Sequence, residues 1–185
     1  MTIHVQLKDE VLFFTIDDPA SKNAVSLAMA ERLSCESQRF LQSWQEWLRA
    51  PYTKKPPALV LIVEANVQGN IWCSGGHLKE HLTLENKRAQ QYAQNVASFL
   101  DALDKLPAPV VLRINGNCIG GGAELALGGD LRLATKESGL FFKQMQVGLT
   151  TGFGGSERLG RLVGVDQAKK LLLTCAILSA EKSLE

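Results

Sequence analysis

Six apolar residues in succession, Ala58-Leu-Val-Leu-Ile-Val63, constrain the fold more than any other stretch of this chain. The run is short for a helix and rich in Val and Ile, so it reads as a strand buried on both faces. Such a strand needs helices packed over a sheet, and the flanking segments supply them. Ser26 is placed to cap a helix reaching about Ala50, with Leu33, Phe40, Trp44 and Trp47 at helical spacing. That aromatic stripe reads as a core-facing surface and not as a cofactor box. Pro51 and Pro56-Pro57 end the helix. Tyr92, Val96, Phe99, Leu103 and Leu106 mark a second long helix, stopped by Pro107 and Pro109.

Shorter elements complete the pattern. Ile3 to Leu7 and Val11 to Ile16 pair around a tight turn at Lys8-Asp9-Glu10, and Val110 to Ile114 is another strand. Asp130 to Ala134 and Leu140 to Phe142 read as brief strands, 66–76 and 148–155 as loops, and Leu78 to Leu82 as a helical turn. Helices follow at about Ser156–Leu162 and Asp166–Thr174, and Ser179 looks like a fresh cap with little more than one turn after it. Strands alternate with helices and composition does not shift, so residues 1–185 read as one α/β domain.

Composition excludes several classes of function. With 20 Lys and Arg against 19 Asp and Glu, the net charge of +1 gives no bulk field to recruit nucleic acid or an acidic membrane. Lys54-Lys55 reads as a solvated loop. No stretch approaches the ~18 apolar residues of a membrane span, and the first residues lack a basic-then-apolar leader, so a cytoplasmic protein is expected. Cys35, Cys73, Cys118 and Cys175 lie far apart, without a C-x-x-C pair or a neighbouring histidine. They read as free thiols, and no metal site is expected.

Three segments carry chemistry: Trp72-Cys-Ser-Gly-Gly-His-Leu-Lys-Glu80, Asn115-Gly-Asn-Cys-Ile-Gly-Gly-Gly-Ala-Glu-Leu-Ala-Leu-Gly-Gly-Asp130, and Gln144-Met-Gln-Val-Gly-Leu-Thr-Thr-Gly-Phe-Gly-Gly-Ser-Glu-Arg-Leu159. In the second, a strand runs into three glycines and then into helix formers. Glycines there let a ligand approach the backbone, and free N–H groups favour phosphate, carboxylate or a developing oxyanion. Glu124 follows in the first helical turn. It reads equally as a general base or as a carboxylate that only complements a helix dipole. A dinucleotide fingerprint is disfavoured, because neither glycine cluster has the G-x-G-x-x-G spacing.

Together the three segments resemble the enoyl-CoA hydratase/isomerase (crotonase) family, with a matching Pro-x-x-x-Asn-Ala element at Pro19 to Ala24. The family's Ala-Gly-Ala-Asp-(Ile/Leu)-Lys-Glu loop corresponds to Ser74 to Glu80, its Gly-Gly-Gly-x-Glu-Leu helix start to Gly120 to Leu125, and its Gly-rich element ending in Arg-Leu to Gly148 to Leu159. The resemblance implies a fold of repeated β-β-α units, with the family's C-terminal helical region expected to be short or truncated in this chain. It also implies an acyl-CoA substrate, no cofactor beyond the CoA that is part of it, and a homo-oligomer, a trimer or hexamer. An apolar surface near Leu171–Leu173 and Ile177–Leu178 is expected to seek a partner.

Carried over by residue, the resemblance assigns an oxyanion hole to the N–H groups of Gly76 and Gly121. It assigns substrate contacts to Ser74, Gly75, Gly76, His77, Leu78, Lys79 and Gly121, and the first catalytic glutamate to Glu124. The second glutamate falls on Gln144, which orients water but transfers no proton. The family aspartate falls on His77, a solvated loop residue or a new acid/base group. The segment from Ala24 to Gly75 is longer than the family pattern. The implied function is enoyl-CoA hydratase/isomerase-like chemistry weakened in hydration. The alternatives are a single-acid isomerase or decarboxylase, or a weakly catalytic CoA-binding protein.

Overall fold

The computed structural model describes residues 2–50 and 55–183, with the backbone alone at residue 2. Pro51 and Lys54 lie outside these residues. β1 (Thr2–Lys8) and β2 (Val11–Asp17) form a hairpin whose turn residues, Asp9 and Glu10, both take positive φ (49° and 65°). That conformation matches the twist of a two-residue hairpin. β3 (Val60–Ala65), β5 (Val110–Ile114) and β7 (Leu131–Ala134) extend the sheet in parallel, in the order β1-β2-β3-β5-β7.

α1 (Leu27–Arg49) starts where Ser26 Oγ accepts the N–H of Met29 at 3.2 Å. It buries Met29, Ala30, Leu33, Ser37, Leu41 and Trp44. α3 (Asn86–Asp104) packs beside it and buries Tyr92, Val96, Phe99, Leu100, Ala102 and Leu103. Of the expected aromatic stripe, Trp44 is buried, while Phe40 and Trp47 are half-buried.

The apolar run is a correction to its sequence reading. Only one face of β3 is fully buried, through Leu61, Val63 and Ala65, while Val60 and Ile62 are half-buried. The same alternation holds along β2. A polar ladder crosses the other face: Thr15 Oγ1 donates to Glu64 at 2.9 Å, and Glu64 pairs with Arg113 at 2.5 Å. The core sits on the first face, where Phe14 and Phe99 place their ring centroids 6.2 Å apart.

A second sheet stands in segments of which only Leu140 to Phe142 was expected to be a strand. β4 (Ile71–Cys73), β6 (Asn117–Ile119), β8 (Gly139–Phe141) and β9 (Ile177–Ser179) are three residues each, in the order β4-β6-β8-β9. β4, β6 and β8 run parallel, and β9 is antiparallel to β8. β3-β4, β5-β6 and β7-β8 each place one strand in each sheet before a helix follows, which is the repeated β-β-α architecture. Those helices are α2 (Leu78–His81) with α3, then α4 (Gly121–Leu125), then α5 (Gly155–Val163) and α6 (Val165–Thr174).

Ser179 ends a strand, and its Oγ accepts the N–H of Lys182 at 3.3 Å to cap a single 3-10 turn. The expected apolar surface is present in part. Leu173 (64% exposed) and Ile177 (51%) face outward, but Leu171 is buried (4%) and Leu178 packs against the core. All four cysteines are free, three of them buried. Among the described residues no helix is long and apolar enough to cross a membrane, and no group of three His, Cys, Asp or Glu residues is arranged to hold a metal.

Candidate active site

The second sheet brings the three sequence segments together. β4, β6 and β8 are parallel neighbours, so the residues that follow each strand leave the same edge. Ser74 to His77 follow β4, Gly120 and Gly121 follow β6, and Gln144 follows β8 through Phe142 and Lys143. The N–H of Gly120 donates to the Phe141 carbonyl at 2.8 Å and ties the second segment to the third. On the other side, the Pro19–Ala24 element holds the first. Ser74 N–H donates to Lys22 O (3.0 Å), Val25 N–H to Gly75 O (2.7 Å) and His77 N–H to Val25 O (3.0 Å).

Asn23 is the centre of this support. It is buried and sits at φ 55°, a conformation that Asn tolerates better than most residues. Its amide donates to Asn66 O (2.9 Å) and Trp72 O (3.0 Å), and its Oδ1 accepts the N–H of Asp18 (2.8 Å). The Cys73 thiol donates to Asn23 O (3.1 Å), and burial pushes its pKa up to about 12, so it is no nucleophile.

Gly75 has φ +95°, and a side chain there would start 2.9 Å from Gly121 N and 2.8 Å from Ile119 O. The two backbone segments therefore abut, and only glycine permits it. Gly76 and Gly121 lie on these abutting segments. Among the described residues, no hydrogen-bond acceptor meets the N–H of either.

Glu124 is buried on the turn that follows Gly121, and both of its oxygens are occupied. Oε1 accepts from Gln144 Nε2 (2.9 Å) and Gly152 N (3.2 Å), and Oε2 from Phe153 N (2.8 Å) and Gly155 N (2.9 Å). Three of these donors belong to the backbone at the start of α5, where unpaired N–H groups favour negative charge. The carboxylate thus complements a helix dipole, but that of α5 and not of its own helix. Gly155 is glycine because any side chain would run into Glu124. Because Gln144 donates through its amide nitrogen, its Oε1 is left buried and unpaired among the described residues.

The family model described as enoyl-CoA hydratase/isomerase matches residues 6–185. The chain belongs to this family. It is similar to the enoyl-CoA isomerase/hydratase fer4 of Mycosarcoma maydis, at 32% identity over 94% of this chain and 61% of that protein. It also resembles the short-chain-enoyl-CoA hydratase of Clostridium acetobutylicum, at 36% identity over 58% of this chain and 40% of that protein. Among solved structures, the enoyl-CoA hydratase from Bacillus anthracis superposes with a TM-score of 0.84 at 26% identity, covering 99% of this chain and 66% of that one. The chain spans 40% to 66% of the length of these relatives.

Other expected site residues of this enoyl-CoA hydratase/isomerase family member fall as follows. His77 has a local structural task. Its Nδ1 accepts the N–H of Glu80 at 3.3 Å and caps α2. Ser74 is half-buried, its hydroxyl 3.4 Å from Ser21 O, and Leu78 and Lys79 are exposed. Four residues that sequence reasoning gave no site role join the site. The Phe153 ring lies against Gly121, and Tyr92 packs on Phe153 with centroids 5.6 Å apart. The His81 ring meets Tyr92 edge-on at 4.1 Å. Arg158, only 10% exposed, ties the α5 turn to Asp101 (2.7 Å) and Asp104 (3.1 Å) of α3. Arg158 lies within a quoted motif and His81 directly follows one, so position was the available signal. Tyr92 gave none beyond its place in a core stripe.

Proposed function

We propose that this chain binds an acyl-CoA thioester and stabilises its enolate through the N–H groups of Gly76 and Gly121. One observation carries the reading: two unpaired backbone donors on abutting segments, with a buried carboxylate one turn away. An α-carbon proton is too weakly acidic to leave unless the resulting oxyanion is held, and one such donor is worth ~10²–10³ in rate. Glu124 takes the α-proton once Oε1 gives up Gly152, the longest of its four bonds. The electron pair of the broken C–H bond moves to the thioester oxygen. The loop Ser74 to Lys79 lines the CoA channel, with exposed Lys79 meeting phosphate.

Gln144 argues for chemistry that needs one proton-transfer residue, an isomerisation or a decarboxylation, over brisk hydration. A second reading, CoA binding with little turnover, is favoured by the full occupation of the Glu124 carboxylate. The exposed side chains Val147, Leu149, Leu173 and Ile177 support a homo-oligomer. A panel of short and long 2-enoyl-CoAs and 3-enoyl-CoAs, assayed beside a CoA-thioester titration, tests the reading. Double-bond migration is the expected activity, and binding without turnover selects the second reading. Absence of thioester binding removes both.

A further inference from the structure

Arg158 carries a nearly buried charge beside the site, and the mechanism above gives it no task. Its side chain leaves α5 and turns back onto the loop that opens this helix. Nη1 donates to Phe153 O at 3.4 Å, and a side chain on Gly154 would begin 2.7 Å from the same nitrogen. Nη2 meets Asp101 at 2.7 Å and Asp104 at 3.1 Å, two carboxylates that neighbour each other on one face of α3. Nε is shielded from water and has no partner among the described residues, so the two terminal nitrogens fix the guanidinium. Only a fork can grip a backbone carbonyl and two carboxylates at once, and lysine has none.

The loop that Arg158 grips is the one that holds Glu124. The N–H groups of Phe153 and Gly155 both donate to Oε2, at 2.8 and 2.9 Å, which leaves Oε1 as the oxygen that takes the α-proton. α3 braces the other side of the site as well. The Tyr92 hydroxyl donates to Val25 O at 3.1 Å, and Val25 pairs in turn with Gly75 and His77. We propose that Arg158 is a positioning residue, which anchors the 152–155 loop to α3 and so fixes the Glu124 carboxylate relative to Gly76 and Gly121. This rests on the enolate reading above, with Glu124 as the base. A misplacement of about 1 Å can cost roughly 10²-fold in rate. An unreactive thioester held by Gly76 and Gly121 makes no use of Glu124, so its binding is insensitive to the anchor.

The test is isomerisation of 3-hexenoyl-CoA by the full chain, beside calorimetric titration with hexanoyl-CoA, which has no double bond to move. Arg158→Met keeps an apolar stem without the fork. It is expected to lower kcat at least about tenfold, with hexanoyl-CoA affinity within about threefold of the parent. In a Glu124→Gln background the same change should cost less than about threefold, because no base is left to position. A purely structural role for Arg158 repeats the full loss in that background and overturns the proposal, as does an unchanged kcat in Arg158→Met. If Glu124→Gln leaves no measurable rate, the single variant decides. Loss in kcat alone supports the proposal, and an equal loss in hexanoyl-CoA affinity overturns it. Circular dichroism checks folding. If Arg158→Met does not fold, Asp101→Asn with Asp104→Asn, which loosens the same anchor, is judged by the same criteria. A parent chain that binds hexanoyl-CoA without isomerising 3-hexenoyl-CoA, or a Glu124→Gln variant at the parent's rate, removes the enolate reading and this proposal together.

Discussion

The two sheets of this molecule are held by different means. The five-stranded sheet buries one row of side chains on each of its three central strands, Leu12, Phe14 and Ile16 beside Leu61 and Val63 beside Val110 and Leu112. Hydrophobic burial dominates there, so strands are long and register is set by the side-chain pattern. In the four-stranded sheet each strand has three residues, of which Trp72, Cys73 and Cys118 are buried, and hydrogen bonds of Asn23, Ser74, Val25 and Gly120 add much of its support. Short strands that end together leave backbone N–H groups facing outward, which a fully paired sheet does not. The first sheet supplies rigidity and the second presents the chemistry. Substitutions should therefore separate stability from activity according to the sheet they touch.

The largest effect is expected in the first sheet. Phe14→Ala removes a fully buried ring and should cost ~3–5 kcal/mol in chemical denaturation. The folded fraction should keep its kcat, and a kcat that falls with stability would break the division. Gly121→Pro is the counterpart in the second sheet. Proline is tolerated at the first position of a helix but lacks the N–H, so turnover should fall ~10²–10³-fold. Because the Phe153 ring lies where a proline ring would sit, Phe153→Leu is the control, which opens the same space and retains the donor. Comparable losses in both variants would assign the effect to packing.

Glu124→Gln sharpens the comparison further. It sets an amide N–H₂ against backbone donors that now meet a carboxylate oxygen, so stability should drop by ~1.5–3 kcal/mol along with the rate. An unfolding midpoint equal to the parent's would show that the four bonds do not hold the turn before α5. Gln144→Glu has a smaller expected effect, about a tenfold gain in hydration of a short 2-enoyl-CoA, or ~1.4 kcal/mol of barrier. The gain should vanish when Glu124 is also Gln. Two carboxylates at this 2.9 Å contact would share a proton. One folded pKa then rises above its unfolded value, and the variant should lose stability relative to the parent as pH rises.

The smallest effect concerns His81. Its pKa is lowered in the fold from 6.5, so below that pH the unfolded chain takes up the proton first. The parent should lose stability as pH falls through that region. His81→Met should flatten the loss, measured as denaturation midpoints from about pH 7 to pH 5. An unchanged slope would mean that the burial of His81 is not maintained in solution.

Much of the first sheet was legible because its signal is periodic burial, and Ser26, Pro107 and the Asp9-Glu10 turn punctuate it locally. Most of the second sheet, Leu140 to Phe142 excepted, was missed because a three-residue strand such as Ile71–Cys73 carries too few side chains to show a period. Its glycine-bearing motifs were visible all the same. Gly76, Gly121, Glu124 and Gln144 were singled out as residues, and their convergence follows from the parallel exit of β4, β6 and β8.

The sequence by itself determined the α/β class, the helix cap at Ser26 and the chemistry available at each motif, because these depend on residue type and local spacing. Only the tertiary structure decided what each group is free to do. Glu124 faces four N–H donors from Gln144 and the turn before α5, His77 caps α2 through Nδ1, and His81 lies against Gly76 with an unpaired nitrogen. Those outcomes depend on which polar atoms end within ~3 Å of one another across the fold, and spacing along the chain does not encode that distance.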